Sequence, residues 1–212
     1  MTKPTATGPR VTKRRGETRQ RLLDAALVVF AEQGFGQTTV EQVCAGAGYT
    51  RGAFYSNFAS LDELFLAMWE QRSQAMLAEV AAILGEITTG EAGAGNLRTV
   101  VEQVLRVTPV DDVWFRVNAE FTAHALRNPA LKRVMAARED AIAAAITPVV
   151  ETLLARIGRT VGDPAALGKA LIAVHDGTAA QCLLEPDRAE ATRRRLDLFT
   201  HVVFAYSSPT GA

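Results

Sequence analysis

The chain of 212 residues is poor in the side chains that build redox, metal or catalytic centres. Its two cysteines, Cys44 and Cys182, stand far apart within helical segments. That excludes a disulfide framework and suits small buried residues in a reducing compartment. The three histidines, His124, His175 and His201, are scattered, with no second histidine or cysteine three or four positions away, so neither a metal nor any other cofactor is expected. Gly-x-Ser-x-Gly, Walker and His-Glu-x-x-His motifs are absent, and nothing in the chain predicts an enzyme. No apolar run approaches the roughly 18 residues that span a bilayer. The longest, Ala141 to Val150, is alanine-rich and interrupted by Pro148, and the basic N-terminus lacks the apolar segment of a signal peptide. A cytoplasmic protein without a membrane partner is expected. Convincing period-two alternation is also missing, which predicts an all-α fold.

What is present is an apolar content of 48%, enough for a core, and a divided charge. Residues 1–60 hold eight Lys and Arg against four acids, whereas the remainder holds fifteen against nineteen. Only the first part suits a polyanion. Residues 1–15 are basic and contain Thr, Pro and Gly, the composition of a disordered arm. Helical periodicity then predicts about nine helices: Gly16 to Gln33 with Gly34 as its C-terminal cap; a short one after the Thr39-x-x-Gln42 capping box, ended by the Gly46-Ala47-Gly48 segment; a third capped by Thr50 and stopping near Phe58; and a long fourth from Leu61 to about Leu84. Thr88 to Asn96 reads as a linker, its Gly93-x-Gly95 following a helix and so ill-suited to a phosphate loop. Helices are expected again at Leu97–Val107, Asp112–Arg127, Pro129–Ile157, Pro164–Leu184 and Arg188–Tyr206, with Asn128-Pro129 and Asp163-Pro164 as cap and first-turn proline.

The stretch Gly48 to Phe58 organises the first part. Phe54 and Phe58, four apart, share one helical face for burial. Thr50, Arg51, Tyr55 and Asn57 remain for the other, a set of phosphate and base-edge hydrogen bonders with one fixed positive charge. Such a helix reads as a recognition helix.

Several spaced motifs in order, Ala26 to Phe35, Thr38-Thr39-Val40, Ala45 to Gly48, Thr50 to Phe58 and Asp62 to Phe65, make the segment from about Arg15 to Trp69 resemble the N-terminal DNA-binding domain of the TetR (tetracycline-repressor) family of transcriptional regulators. The resemblance implies a three-helix helix-turn-helix domain (residues 16–60) joined through a long fourth helix to a helical ligand-binding and dimerisation domain (61–212). It further implies that Thr39 and Thr50 bind phosphate, Arg51 reaches a base edge, Gly52 lets the backbone approach the duplex, Tyr55 meets the phosphate backbone, and Asn57 stands where the family often has histidine. Leu61 departs from the family, which usually has a phosphate-binding lysine there. Lys13, Arg14 and Arg15 in the arm are expected to compensate.

In the second part, Trp114, Asn118, Phe121 and Ala125 fall on one helical face with His124 at its edge. Together with Trp69 and Met76 they are candidate lining for a small-molecule pocket, apolar or aromatic in its preference, although the same pattern describes ordinary core around a bonded amide. Leu167, Leu171, Val174, Gly177 and Thr178, and Leu196, Phe199 and Val203, mark stripes on the last two helices that could pair across a two-fold axis or be used inside the monomer. The Arg193 to Arg195 run is most simply a solvated face near Glu190 and Asp197. The expected function is a dimeric repressor that binds a palindromic operator and is released by an effector. The alternatives are a helical DNA-binding or adaptor protein without a ligand, governed by a protein partner, and a helical enzyme using the Trp114 to His124 region.

Overall fold

The computed structural model describes residues 9–89 and 96–211. Among them are nine α-helices: α1 (Pro9–Gln33), α2 (Val40–Ala47), α3 (Arg51–Tyr55), α4 (Leu61–Thr89), α5 (Leu97–Val107), α6 (Asp112–Ala125), α7 (Pro129–Arg156), α8 (Pro164–Leu184) and α9 (Arg188–Ala205). A single 3-10 turn, Phe35–Gln37, follows α1. The expected all-α chain thus stands, with two corrections. First, α1 begins at Pro9 and not at Gly16, so Lys13, Arg14 and Arg15 are helical and not part of a disordered arm. Proline is well tolerated in a first helical turn, and the basic run continues the periodicity behind it. Residues 1–8, and with them the rest of that arm, lie outside the described residues, as do Gly93 to Gly95 of the expected linker. Second, Arg159–Val161 (β1) pairs antiparallel with Ser207–Pro209 (β2), three residues each and too short to show alternation.

Two compact units emerge. The first comprises the chain to Arg72 together with Arg116–His124; the second comprises Ser73–Phe115 and Ala125–Ala212. The boundary expected at residue 60 therefore moves along α4, and part of α6 joins the first unit.

In the first unit α1 buries Leu22, Leu23, Ala26 and Phe30. Gly34 stops the helix at φ 84° and ψ 144°, an extended positive-φ conformation open to glycine, and its N–H donates to Phe30 O at 2.9 Å. A β-carbon there would meet Glu120 Oε2 at 2.9 Å. That carboxylate accepts from the Phe35 backbone N–H at 2.6 Å, and Arg116 Nη1 donates to Ala31 O at 3.3 Å. Between these polar ties, Phe121 is fully buried, stacked on Phe65 at 3.8 Å and edge-on to Phe35 at 5.0 Å. Residues 116–124 are therefore part of the first unit's core.

In the second unit Val101, Leu154, Leu167, Leu171, Phe199 and Val203 form one core, with Val174 and Leu196 packed against it. Leu167, Leu171, Phe199 and Val203 are consequently used inside the protomer, as is the buried Thr178, while Val174 and Leu196 are partly covered by it. Gly177 alone of that set is exposed, with open space around it. Gly168 is where α8 meets α7: a β-carbon would lie 2.9 Å from Thr147 Oγ1 and 3.0 Å from Ala143 O.

The arginine run divides. Arg193 and Arg194 are exposed and pair with Glu190, and Asp197 pairs with Arg98. Arg195 is instead 4% exposed, in register with buried Ala191, Phe199 and Val203. Its Nη2 lies 3.0 Å from His175 Nδ1. Burial first, and the Arg195 charge second, push His175 down to about 4. The charged imidazolium is the disfavoured form in the fold, so the contribution of His175 to stability is complete above its ordinary value of 6.5 and is lost as pH falls toward 4. Asp176, pushed up to about 6 by burial and by Glu139, acts in the opposite sense. Comparison with His175→Gln isolates the histidine: the stability advantage of the wild type over the variant should shrink by about 2 kcal/mol between pH 7 and pH 5 in urea titrations. A pH-independent difference would mean that the ring is not held neutral.

Candidate nucleic-acid interface

Thr39 caps α2 through both bonds of a capping box: its Oγ1 accepts from Gln42 N at 3.3 Å, and its own N–H donates to Gln42 Oε1 at 2.7 Å. Gly48, left-handed at φ 71°, ends α2, and the bonds from Gly48 N to Ala45 O and from Tyr49 N to Cys44 O reverse the chain. Thr50 then caps α3, accepting from Ala53 N at 3.3 Å. Val43, Cys44, Phe54 and Phe58 are the buried side of this pair of helices. Burial also raises the Cys44 thiol above its ordinary range, with Glu41 adding to it, so the thiol is inert packing.

The outer side carries the expected residues. Thr39, Thr50, Arg51, Gly52 and Tyr55 are all exposed. Each threonine hydroxyl accepts from the backbone and keeps its O–H for an outside acceptor such as phosphate. Gly52 has no crowding of its own, since a β-carbon would meet only Thr50 Oγ1 at 3.7 Å. The Arg51 guanidinium lies 5.8 Å from the Tyr55 ring centroid and 2.8 Å from Glu41 Oε1. Hydrogen bonding with the Tyr55 side chain, then the Glu41 carboxylate, raises Arg51 above its ordinary value. Exposed pairs of this kind hold weakly and exchange readily.

Two expected contacts have other partners. Asn57 is half-buried and donates through Nδ2 to Ala53 O at 2.8 Å, closing the end of α3. Arg15 donates to Ser56 O at 3.1 Å and so ties α1 to that same end, while Lys13 and Arg14 stay exposed. Leu61 is half-buried at the start of α4, where Ser60 Oγ accepts from Glu63 N and Glu63 Oε2 accepts from Ala59 N.

Glu41 was not among the candidates, though its signal was present: it is one of four acids in an otherwise basic segment and stands in the first turn of α2. It sets a negative charge beside the exposed arginine. Glu41→Gln is expected to tighten binding to specific and scrambled duplexes alike by about tenfold or less, measured by anisotropy at low salt. Unchanged affinity for both would show that the carboxylate moves away on binding.

The six candidate ligand contacts are divided. Trp69, Asn118, Phe121 and His124 belong to the first unit; Met76 and Trp114 belong to the second. Phe121 is core, as described, and His124 lies 5.2 Å from the Phe35 ring with Nε2 3.2 Å from Asp62 Oδ1. Asn118 is half-buried, its Oδ1 without a hydrogen-bond partner. No group of three or more metal-ligating side chains occurs among the described residues, and none of their helices is long and apolar enough to cross a membrane.

Comparison with known proteins divides the chain in sequence order, with residues 116–124 inside the second match. The family of bacterial regulatory proteins of the tetR type matches residues 22–68, and the C-terminal domain of BetI-type transcriptional repressors matches residues 93–203, just over half of the chain. The HTH-type transcriptional regulator AcrR of Shigella flexneri is 44% identical over 54 residues, 26% of this chain and 25% of that protein. TcmR of Streptomyces glaucescens is 32% identical over 128 residues, 51% of this chain and 57% of its own. The chain thus spans from a quarter to just over half of the length of these relatives. A TetR-family regulator of Streptomyces coelicolor superposes with a TM-score of 0.60 at 27% identity, over 90% of this chain and 96% of that one. Motif order, helix-turn-helix geometry and the two matched families converge: the chain belongs to the TetR family of bacterial regulatory proteins.

Proposed function

We propose that the chain is a transcriptional repressor that binds a palindromic operator as a homodimer and releases it when a small organic molecule binds the second unit. The observation that carries the reading is the joint exposure of Thr39, Thr50, Arg51 and Tyr55 around one helix-turn-helix. Phosphate contacts from the threonines and Tyr55 would set register, and Arg51 would read guanine O6 and N7. Exposed Lys13 and Arg14 on α1 add charge to the same unit.

Recognition of two half-sites requires two copies. The inner stripes of α8 and α9 being core, the dimer face is assigned to their outer ones: Ala173, Gly177, Ala180 and Leu184 on α8, with Leu198, His201 and Ala205 on α9. These recur at helical spacing, and Leu184 is 82% exposed. Small residues at the centre permit close helix approach. Helices α4 and α6 contribute residues to both units, so their backbones are the route by which an effector acts on the first. The effector must bind the non-DNA-binding arrangement more tightly, or it shifts nothing.

The experiment is operator anisotropy with sedimentation on the same samples, comparing the wild type with Gly177→Arg. A dimer that binds one palindrome tightly, and a folded monomeric variant that binds it poorly, supports the reading. A monomeric wild type, or equal weak binding to palindromic and scrambled duplexes, would sink it.

A further inference from the structure

Arg195 lies within the second unit with less partnering than its burial demands. It is 4% exposed, and its Nη2 donates to Thr108 O at 3.3 Å and to His175 Nδ1 at 3.0 Å. Because an arginine offers only donors, His175 must accept there, which leaves the imidazole hydrogen on Nε2. Cys182 is a further hydrogen-bonding neighbour, and the guanidinium carbon lies 5.5 Å from the Phe199 ring centroid. Nη1 is buried and has no hydrogen-bond partner, and no carboxylate of the described residues pairs with Arg195. Phe199, Leu196 and Val174 belong to the apolar cluster of this unit.

A buried guanidinium that serves only the fold usually has a carboxylate beside it, since an uncompensated buried charge is strongly destabilising. Neutralisation offers no escape, because arginine keeps its proton even where burial, as here, lowers its affinity for it. A buried guanidinium whose neighbours are a carbonyl, a neutral imidazole and a thiol, with Nη1 left unbonded, is therefore best explained by an acceptor that arrives from outside.

We propose that Arg195 anchors an anion subsite in the second unit and that its Nη1 takes the carboxylate of a small organic acid, whose apolar body packs near Phe199. The inference rests on the effector-controlled reading above and narrows it: the effector is an acid, not a neutral aromatic compound. Thr108 O and His175 hold the guanidinium in place, and the neutral imidazole adds no competing negative charge. The rival reading is structural, with Arg195 serving only to satisfy the carbonyl of Thr108 at the end of α5.

The test uses the full chain in thermal melts with sodium acetate and sodium benzoate, against sodium chloride at equal ionic strength and against benzamide. Acetate or benzoate should raise Tm in a dose-dependent way, by about 5 °C or more at a hundredfold excess over Kd, with no shift from chloride or benzamide. Arg195→Met should lose the shift, and Arg195→Lys should keep part of it. If neither carboxylate raises the Tm of the wild type above chloride, or if Arg195→Met responds as the wild type does, the subsite is refuted; the wild-type arm decides even if the variants fold poorly. Operator anisotropy on the same samples keeps the two readings apart. Specific DNA binding without a carboxylate shift overturns only the subsite, whereas a carboxylate shift without specific DNA binding overturns the repressor reading.

Discussion

Arg51→Ala is expected to weaken operator binding by roughly 1 to 3 kcal/mol, about five- to 150-fold, while affinity for a scrambled duplex changes far less. The arginine is exposed, with Glu41 and Tyr55 as its partners, and both of those are exposed surface groups. Its removal should leave Tm nearly unchanged, so a lost affinity would belong to recognition and not to folding. The guanidinium is suited to guanine because its planar fork matches O6 and N7 together, and Gly52 beside it presents no side chain to hold the helix off the groove. Anisotropy with matched and scrambled duplexes at two salt concentrations checks this. Equal weakening on both would make Arg51 a phosphate contact, and the reading of sequence would then have to lie in another residue.

Phe121→Ala should have the largest effect on stability, about 3 to 5 kcal/mol, seen as a fall of roughly 10 °C in Tm. The ring is 0% exposed, stacked on Phe65 and edge-on to Phe35, so truncation removes its burial and leaves a cavity among aromatics that cannot easily close. The neighbouring Glu120→Gln should cost less, since an amide oxygen can still accept from Phe35 N. If Phe121→Ala melts within a degree or two of the wild type, residues 116–124 are not the tight core element described above.

Much of this fold was legible because its punctuation is chemical. Asp163-Pro164 marked the start of α8, the Thr39 and Gln42 pair marked that of α2, and Gly34 and Gly48 marked two ends, each through a local hydrogen bond or a positive φ. The exposure of Thr50, Arg51 and Tyr55 was legible for the same reason, since Phe54 and Phe58 assign the opposite face to solvent. What escaped depends on distant partners. On α8 the inner stripe and the outer stripe are both apolar, so periodicity alone does not say which belongs to the core and which faces outward. Arg195 was hidden in a run of three arginines, although its spacing of four from Phe199 placed it on the buried face. The β1–β2 pair joins segments about fifty residues apart, and the bond from Phe35 to Glu120 spans 85. Neither has a local signature.

That last bond also bears on how the molecule is made. The first unit is discontinuous: the helix-turn-helix lies near the N-terminus, yet Glu120 and Phe121, which complete the surroundings of Phe35, come from residues 116–124. During synthesis the recognition helices leave the ribosome long before their closing segment does, and in that interval the aromatic face of Phe35 and Phe65 has no cover from Phe121. The part of the chain that would hold DNA is thus finished only after much of α6 exists. A nascent copy cut short before residue 116 would lack the wedge that completes its own head.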